Sequence, residues 1–253
     1  MSAAQYSILL ASPTEASILG KISGDSFLTD RHTQMKGLGK NPYKLENSMA
    51  AAVARQALSP SIVVLKAVDN ETGEIAGWVS WIFRGFTVEE TVEIRDAVPY
   101  VDTTLKSLEQ SNDKPIPKGQ IRKDRDAVED DPIKELEKLT DEDLKSWMSK
   151  LMADDTRCMY ISSLCVAPKW QSKGVGSALL RWGTKTADTA GVFIWVHSSE
   201  NAWHLYAKYG FKVIGTLDVD LDQYAPAPAP DNGGKWGHYV FWYMRREPSE
   251  SQR

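Results

Sequence analysis

The chain has 253 residues, 42% of them apolar and 25% charged, with a net charge of −4. That length holds one core with room for a large insertion, no apolar run is long enough to span a bilayer, and the charge leaves no basic face for nucleic acid. The only two cysteines, Cys158 and Cys165, lie seven positions apart on one predicted strand, roughly 23 Å at strand rise, so they read as reduced thiols.

None of His32, His197, His204 and His238 has metal-ligand spacing with these cysteines, so no metal is expected. The amino terminus carries no Lys or Arg before Lys21 and lacks the charged start of a secretory signal. An intracellular protein is expected, in the cytoplasm or the nucleus.

In chain order, residues 6–11 form a short apolar strand, and Ser12 caps a helix whose first position is Pro13, with Ala16, Leu19 and Ile22 inward and an end near Gly24. Residues 25–41 show no clear period. A second helix spans 45–58. Residues 61–69 and 74–84 read as a hairpin around D-N-E-T-G, and Trp78 and Trp81 point to opposite faces, so both faces of the sheet are expected to be covered.

Residues 86–156 form an insertion, far longer than an ordinary strand connection. Its middle, about 109–131, is charged and reads as mobile. Its end reads as a helix: Thr140 and Asp143 suggest a capping box, and Leu144, Trp147, Met148 and Leu151 form a buried stripe.

A central strand follows at 157–166, then a helix at 174–190 with Val175, Ala178, Leu179, Trp182 and Thr186 inward and Gly191 as its stop. Residues 192–196 make a buried strand. A short helix at 200–209, capped by Ser198 or Ser199, carries Ala202, Leu205, Tyr206 and Tyr209 on one face. Strands at 211–217 and 238–246 flank a stiff loop at 218–237, and residues 248–253 read as a frayed tail.

The chemistry concentrates at Tyr160 to Ser177, Y-I-S-S-L-C-V-A-P-K-W-Q-S-K-G-V-G-S, an apolar strand running through a glycine turn into a helix. Backbone amides of Ser172, Lys173, Gly174, Val175, Gly176 and Ser177 are unpaired at that helix start and, with the helix dipole, make a socket for phosphate. The dinucleotide pattern G-x-G-x-x-G and the P-loop pattern G-x-x-x-x-G-K-[ST] are both absent.

The pattern Q-x-x-G-x-G-S after L-C-V-A-P resembles the pyrophosphate motif of the Gcn5-related N-acetyltransferase (GNAT) superfamily, with Gln171, Gly174 and Gly176 on its defining positions. L-Y-A-K-Y-G-F at 205–211 resembles the second motif of that superfamily, in the right order and at the right separation, and the long insertion is similar to that of a fungal subgroup. The resemblance implies a mixed α/β fold in one acetyltransferase domain over 1–253: a twisted central sheet of about six to seven strands flanked by about four helices, with the insertion partly helical.

It implies acetyl-CoA as co-substrate. The pyrophosphate would sit on the amides of 172–177, Leu164, Cys165 and Val166 would line the pantetheine arm where the central strand splays from 192–196, and Ser199 stands where many members carry a cofactor-contacting Asn. Tyr206 falls on the position of the general acid, which protonates the departing thiolate. His197 is the first candidate for the base, followed by Glu200 and the Ser162/Ser163 pair holding a water.

The expected activity is direct transfer of an acetyl group to a primary amine of a small molecule or protein, by a monomer or homodimer. Cys165 as an acyl carrier is the weaker route, since no basic neighbour is evident. The alternative is a catalytically silent acyl-CoA-binding module with the insertion as its partner surface. Choice of acceptor is expected to lie in the loops 25–41, 86–156 and 218–237.

Overall fold

A computed structural model describes residues 5–40, 44–101, 131–230 and 232–249. Its strands are β1 (Tyr6–Leu10), β2 (Ile62–Asp69), β3 (Ile75–Arg84), β4 (Cys158–Val166), β5 (Phe193–Ser198), β6 (Lys212–Asp220) and β7 (His238–Arg246). They form one sheet in the order β1-β2-β3-β4-β5-β7-β6. Neighbours run antiparallel except β4 and β5, which are parallel. The mixed α/β architecture is as expected, with seven strands and, among the described residues, seven helices rather than about four.

One face carries α1 (Ala16–Ser26), α2 (Arg31–Lys36), α3 (Leu45–Gln56) and α5 (Pro132–Leu151). Trp78 and Cys165 meet Leu19 and Val53 there, while Tyr160, Trp195 and Tyr243 meet α5. The other face carries α4 (Val88–Asp96), α6 (Val175–Ala190) and α7 (Trp203–Lys208), packed on a core containing Trp81, Met159, Ile161 and Val196. Trp78 and Trp81 are both fully buried, so both faces are indeed covered.

Strict alternation would send Cys158 and Cys165 to opposite faces. They share one, because Ser80 pairs with Ser163 and Trp81 with Ile161, leaving Ser162 as an extra residue in β4. The bulge re-aims the end of the central strand just where it leaves β5.

Several local expectations change. The helix after Ser12 begins as a 3-10 turn, Pro13–Glu15, closed by the Ser12/Glu15 capping box, before α1 takes over. The Glu15 carboxylate also takes Lys66 Nζ at 2.5 Å in a fully buried pair. Residues 25–41 contain α2, which the sequence read as aperiodic. On α6 the buried side runs through Leu180, Gly183, Thr184 and Ala187, with Trp182 and Thr186 only partly buried. Gly183 is there because a Cβ would stand 2.0 Å from the Trp81 ring.

Helix α5 starts at Pro132, capped by Asp131, eight residues before the expected capping box. Thr140 lies inside it and donates to the Leu136 carbonyl at 3.0 Å, while Asp143 accepts from the Tyr243 hydroxyl at 2.6 Å. Its stripe is as read: Leu144, Trp147, Met148 and Leu151 pack under the sheet, with Trp147 stacked on Tyr243 at 4.6 Å. The charged stretch read as mobile lies, apart from Asp131, outside the described residues, as does 250–253 of the tail. Nor does a serine cap α7, which begins at Trp203 after Ala202; the Ser198 hydroxyl donates to the Ser199 carbonyl instead.

Candidate active site

The parallel pair β4 and β5 stays joined for only four residues, Cys158 to Ile161 against Phe193 to Val196, and then opens. The gap has two mouths. On one side lies a cavity of about 710 Å³ that includes Gln171, Ser172, Gly174, Val175, Gly176 and Ser177 in its wall. On the other lies a cavity of about 270 Å³ lined by the β4 bulge, by Val196 to Ser199 and by Tyr206. Phe27, Asp30, Leu164, Cys165, Ser199 and Ala202 border both, so the cavities meet inside the sheet.

The turn before α6 is built as an anion nest. Ser172 at φ 60° and Gly174 at φ 86° both stand in the left-handed region and curl successive amides toward one side. The first helical bond comes from the Ala178 amide to the Gly174 carbonyl, so the amides of Ser172 to Ser177 find no backbone acceptor among the described residues. At Gly174 a Cβ would meet nothing within 4 Å, which leaves the nest open. Gly176 has a different reason: a Cβ there would stand 2.9 Å from Leu205 Cδ2, so this glycine lets α7 close on α6. The Gln171 side chain donates to the Val166 carbonyl at 3.1 Å and ties the turn to the strand end, and Lys173 lies over the Trp170 ring at 5.2 Å.

At the end of β4 the Cys165 carbonyl turns toward Gly77 on β3, only 2.7 Å from where a Cβ on that glycine would be. Alternation then turns the backbone of Leu164 and Val166 into the gap. Cys165 lies in register with Trp78 on β3 and borders both cavities with Leu164, while Val166 borders the larger one. The Val166 carbonyl already accepts from Ser26 Oγ at 2.8 Å as well as from Gln171, which leaves its amide. Burial pushes the Cys165 thiol up to about 11, so at neutral pH it is a protonated thiol and a poor acyl carrier.

Tyr206 reaches the smaller cavity from α7. Burial first, then nearby Cys165 and Tyr160, raise its pKa, so its hydroxyl keeps its proton at neutral pH. His197 faces it from β5, stacked on Tyr243 at 4.7 Å and flanked by Phe241 at 4.9 Å. Its Nε2 is buried without a partner, and burial lowers its pKa to about 4 despite Asp143. Ser162 Oγ, in the bulge, is likewise buried and unpartnered, whereas Ser163 donates to the Ser162 carbonyl at 2.8 Å. Glu200 is not in the cavity wall. It receives Arg31 through both oxygens, at 2.8 and 2.7 Å, and pins α2 to the end of β5.

Asp30, His32, Tyr239 and Phe241 also line the smaller cavity; none was given a role from the sequence, though Asp30 and His32 lie in the 25–41 stretch expected to help choose the acceptor. Asp30 caps α2, accepting from the Thr33 amide at 2.9 Å and hydroxyl at 2.8 Å, and takes the Tyr239 hydroxyl at 2.7 Å. His32 has a buried, unpartnered Nε2, and its pKa is lowered to about 4 by burial, with Lys36 and His197 adding to the effect. Tyr239 and Phe241 follow from β7. The D-R-H-T run could have flagged a helix cap within the stretch expected to help choose the acceptor. Among the described residues no cluster of His, Cys, Asp and Glu could hold a metal, and no helix is long and apolar enough to cross a membrane.

Residues 148–220 match a family model described as an acetyltransferase (GNAT) domain, a stretch that takes in β4 to β6 and the glycine turn but not α1 to α3 or β7. No curated protein matches the chain. Among solved structures the fold is similar to a Corynebacterium glutamicum histone acetyltransferase HPA2 and related acetyltransferase (17% identity, 99% of this chain and 100% of that one, TM-score 0.52). It is also similar to arylalkylamine N-acetyltransferase 2 from Aedes aegypti (13% identity, 97% and 100%, TM-score 0.55). The motifs, the opened β4/β5 pair, the family match and the shared fold agree. Residues 148–220 are thus similar to the acetyltransferase (GNAT) domain, and the fold as a whole is similar to that of solved acetyltransferases.

Proposed function

We propose that the protein transfers an acetyl group from acetyl-CoA to a primary amine by direct attack in a ternary complex. The observation that carries this reading is the row of unpaired amides at Ser172 to Ser177 opening into a gap that leads to the Tyr206 hydroxyl. Acetyl-CoA supplies the activated acyl group as a thioester. The amides, with the α6 dipole behind them, hold the pyrophosphate. Leu164 and the Val166 amide line the pantetheine arm along the free edge of β4, and Ser199 contributes at the junction, with Asn201 nearby on the phosphate side.

Tyr206 donates its proton to the sulfur as the C–S bond breaks and the N–C bond forms, giving amide and thiol, and the proton the nitrogen sheds on forming the amide returns through water to the tyrosinate. The amine must lose a proton as well. Releasing it from an alkylammonium to water at pH 7 costs about 4 to 5 kcal/mol, whereas delivering it outright to an imidazole that titrates at about 4 costs roughly 9. His197 therefore serves as a neutral hydrogen-bond acceptor that orients the amine N–H and relays its proton to water. The lowered proton affinity suits a relay, because the proton does not stay.

Titration calorimetry with acetyl-CoA and free pantetheine, together with Tyr206→Phe, tests the reading. Acetyl-CoA should bind and pantetheine should lose most of the affinity. Tyr206→Phe should keep acetyl-CoA affinity and lose kcat by 10²-fold or more, the range for a lost general acid. Equal binding of the two ligands, or a Phe variant with full turnover, would sink it.

A further inference from the structure

We propose that Asp30 selects the acceptor, holding the incoming amine as an ammonium ion where the two cavities meet, so that the substrate is a small alkylamine with an apolar or aromatic body. This rests on the acetyl-transfer reading above. Of the residues lining the smaller cavity, Asp30 is the sole carboxylate, and it borders the donor cavity as well. Only 5% of it is exposed. Its three hydrogen bonds come from neutral donors, the Thr33 amide and hydroxyl and the Tyr239 hydroxyl.

The cations nearby have other carboxylate partners: Arg31 pairs with Glu200 at 2.7 Å, and Lys36, which itself lines the smaller cavity, pairs with Glu137 at 3.2 Å. By charge count Asp30 is left over. A buried carboxylate without a counter-ion is costly unless a ligand completes it, and an ammonium fits that vacancy in charge. The walls supply the rest of the recognition. Phe27, Met49, Tyr239 and Phe241 are apolar or aromatic surfaces, and ring faces also attract ammonium ions. A volume of about 270 Å³ lies near the lower edge for small-molecule sites.

Stabilising the ammonium favours the ground state, since the amine must shed its proton before it attacks. Asp30 should therefore lower KM for the amine without raising kcat. Asp30→Asn removes the charge with the least disturbance, because the one amide oxygen can keep the cap on Thr33 while the NH2 group donates to the Tyr239 hydroxyl, which turns to accept. In the full-length protein loaded with CoA, which carries no acetyl group to transfer, calorimetry should show benzylamine binding about tenfold or more tighter than its neutral isostere benzyl alcohol. In Asp30→Asn that preference should vanish while CoA affinity and melting temperature hold, and in turnover the amine KM should rise about tenfold with kcat steady or higher.

A wild-type cavity indifferent between benzylamine and benzyl alcohol, or a variant that keeps the preference, would overturn the proposal. So would a variant that loses kcat at unchanged KM, which would make Asp30 a base. If CoA fails to bind, the acetyl-transfer reading fails on its own, and the amine and alcohol comparison on the unliganded protein still decides the role of Asp30.

Discussion

His32 and His197 are two neutral imidazoles kept in one cavity wall, and their burial makes a statement about stability. Each titrates near 6.5 in an unfolded chain and at about 4 here. Between those values the unfolded chain takes up protons that the folded one refuses, so stability is fully present above about pH 7 and declines as the pH falls toward 4. The loss by pH 5 is roughly 2 kcal/mol for each ring. His197→Phe keeps an aromatic ring between Phe241 and Tyr243 but cannot titrate. Denaturant unfolding at pH 8 and pH 5 should therefore show a pH penalty smaller by about that amount in the variant. Parallel declines in the two proteins would mean that the imidazole charges in the fold as readily as outside it.

At the scale of elements, the insertion helix α5 is the least ordinary part of the structure, and one glycine seats it. A Cβ on Gly215 in β6 would lie 2.2 Å from the Trp147 ring, the same ring that stacks on Tyr243. Gly215→Ala should lift Trp147 off the sheet and cost on the order of 1–3 kcal/mol, the range for overpacking, read as a lower unfolding midpoint. Trp147→Ala in the same chain should relieve most of the added cost, and a Gly215→Ala protein as stable as its parent would show that α5 is not seated there. The stripe from Leu144 to Leu151 was legible because an amphipathic helix announces its period. The start of α5 was not, since Thr140 and Asp143 satisfy a capping pattern that the helix ignores once Asp131 and Pro132 have begun it. The phosphate turn was legible for a related reason: its glycines are needed locally. By contrast, Asp30, Tyr239 and Phe241 come together only through the pairing of β7 with β5 and the docking of α2, and a lone chain carries no mark of such contacts.

Taken whole, the molecule is a sheet with an open seam. β1 to β4 and β5, β7 and β6 are joined by four paired residues, by the packing of α5 beneath Tyr160, Trp195 and Tyr243, and by Arg31 reaching Glu200 and the carbonyl of His238. The bulge at Ser162 bends β4 away from β5, which leaves strand backbone without a strand partner in the middle of a sheet, an arrangement that native sheets otherwise avoid. A ligand arm lying along Leu164 and Val166 would occupy the position of the missing strand and fasten the two sides. Binding should therefore stabilise the whole chain: at a hundred times Kd the gain is about 2.7 kcal/mol, which for a protein of this size raises Tm by roughly 5–10 °C. Hydrogen exchange tells where the gain arises. Acetyl-CoA should slow exchange at the amides of Ser172 to Ser177 and also at Val166, whereas pantetheine should act at the strand edge alone. Protection confined to the α6 start, with the seam exchanging as before, would show that the anion nest works without the strand edge, and the gap would then need another occupant.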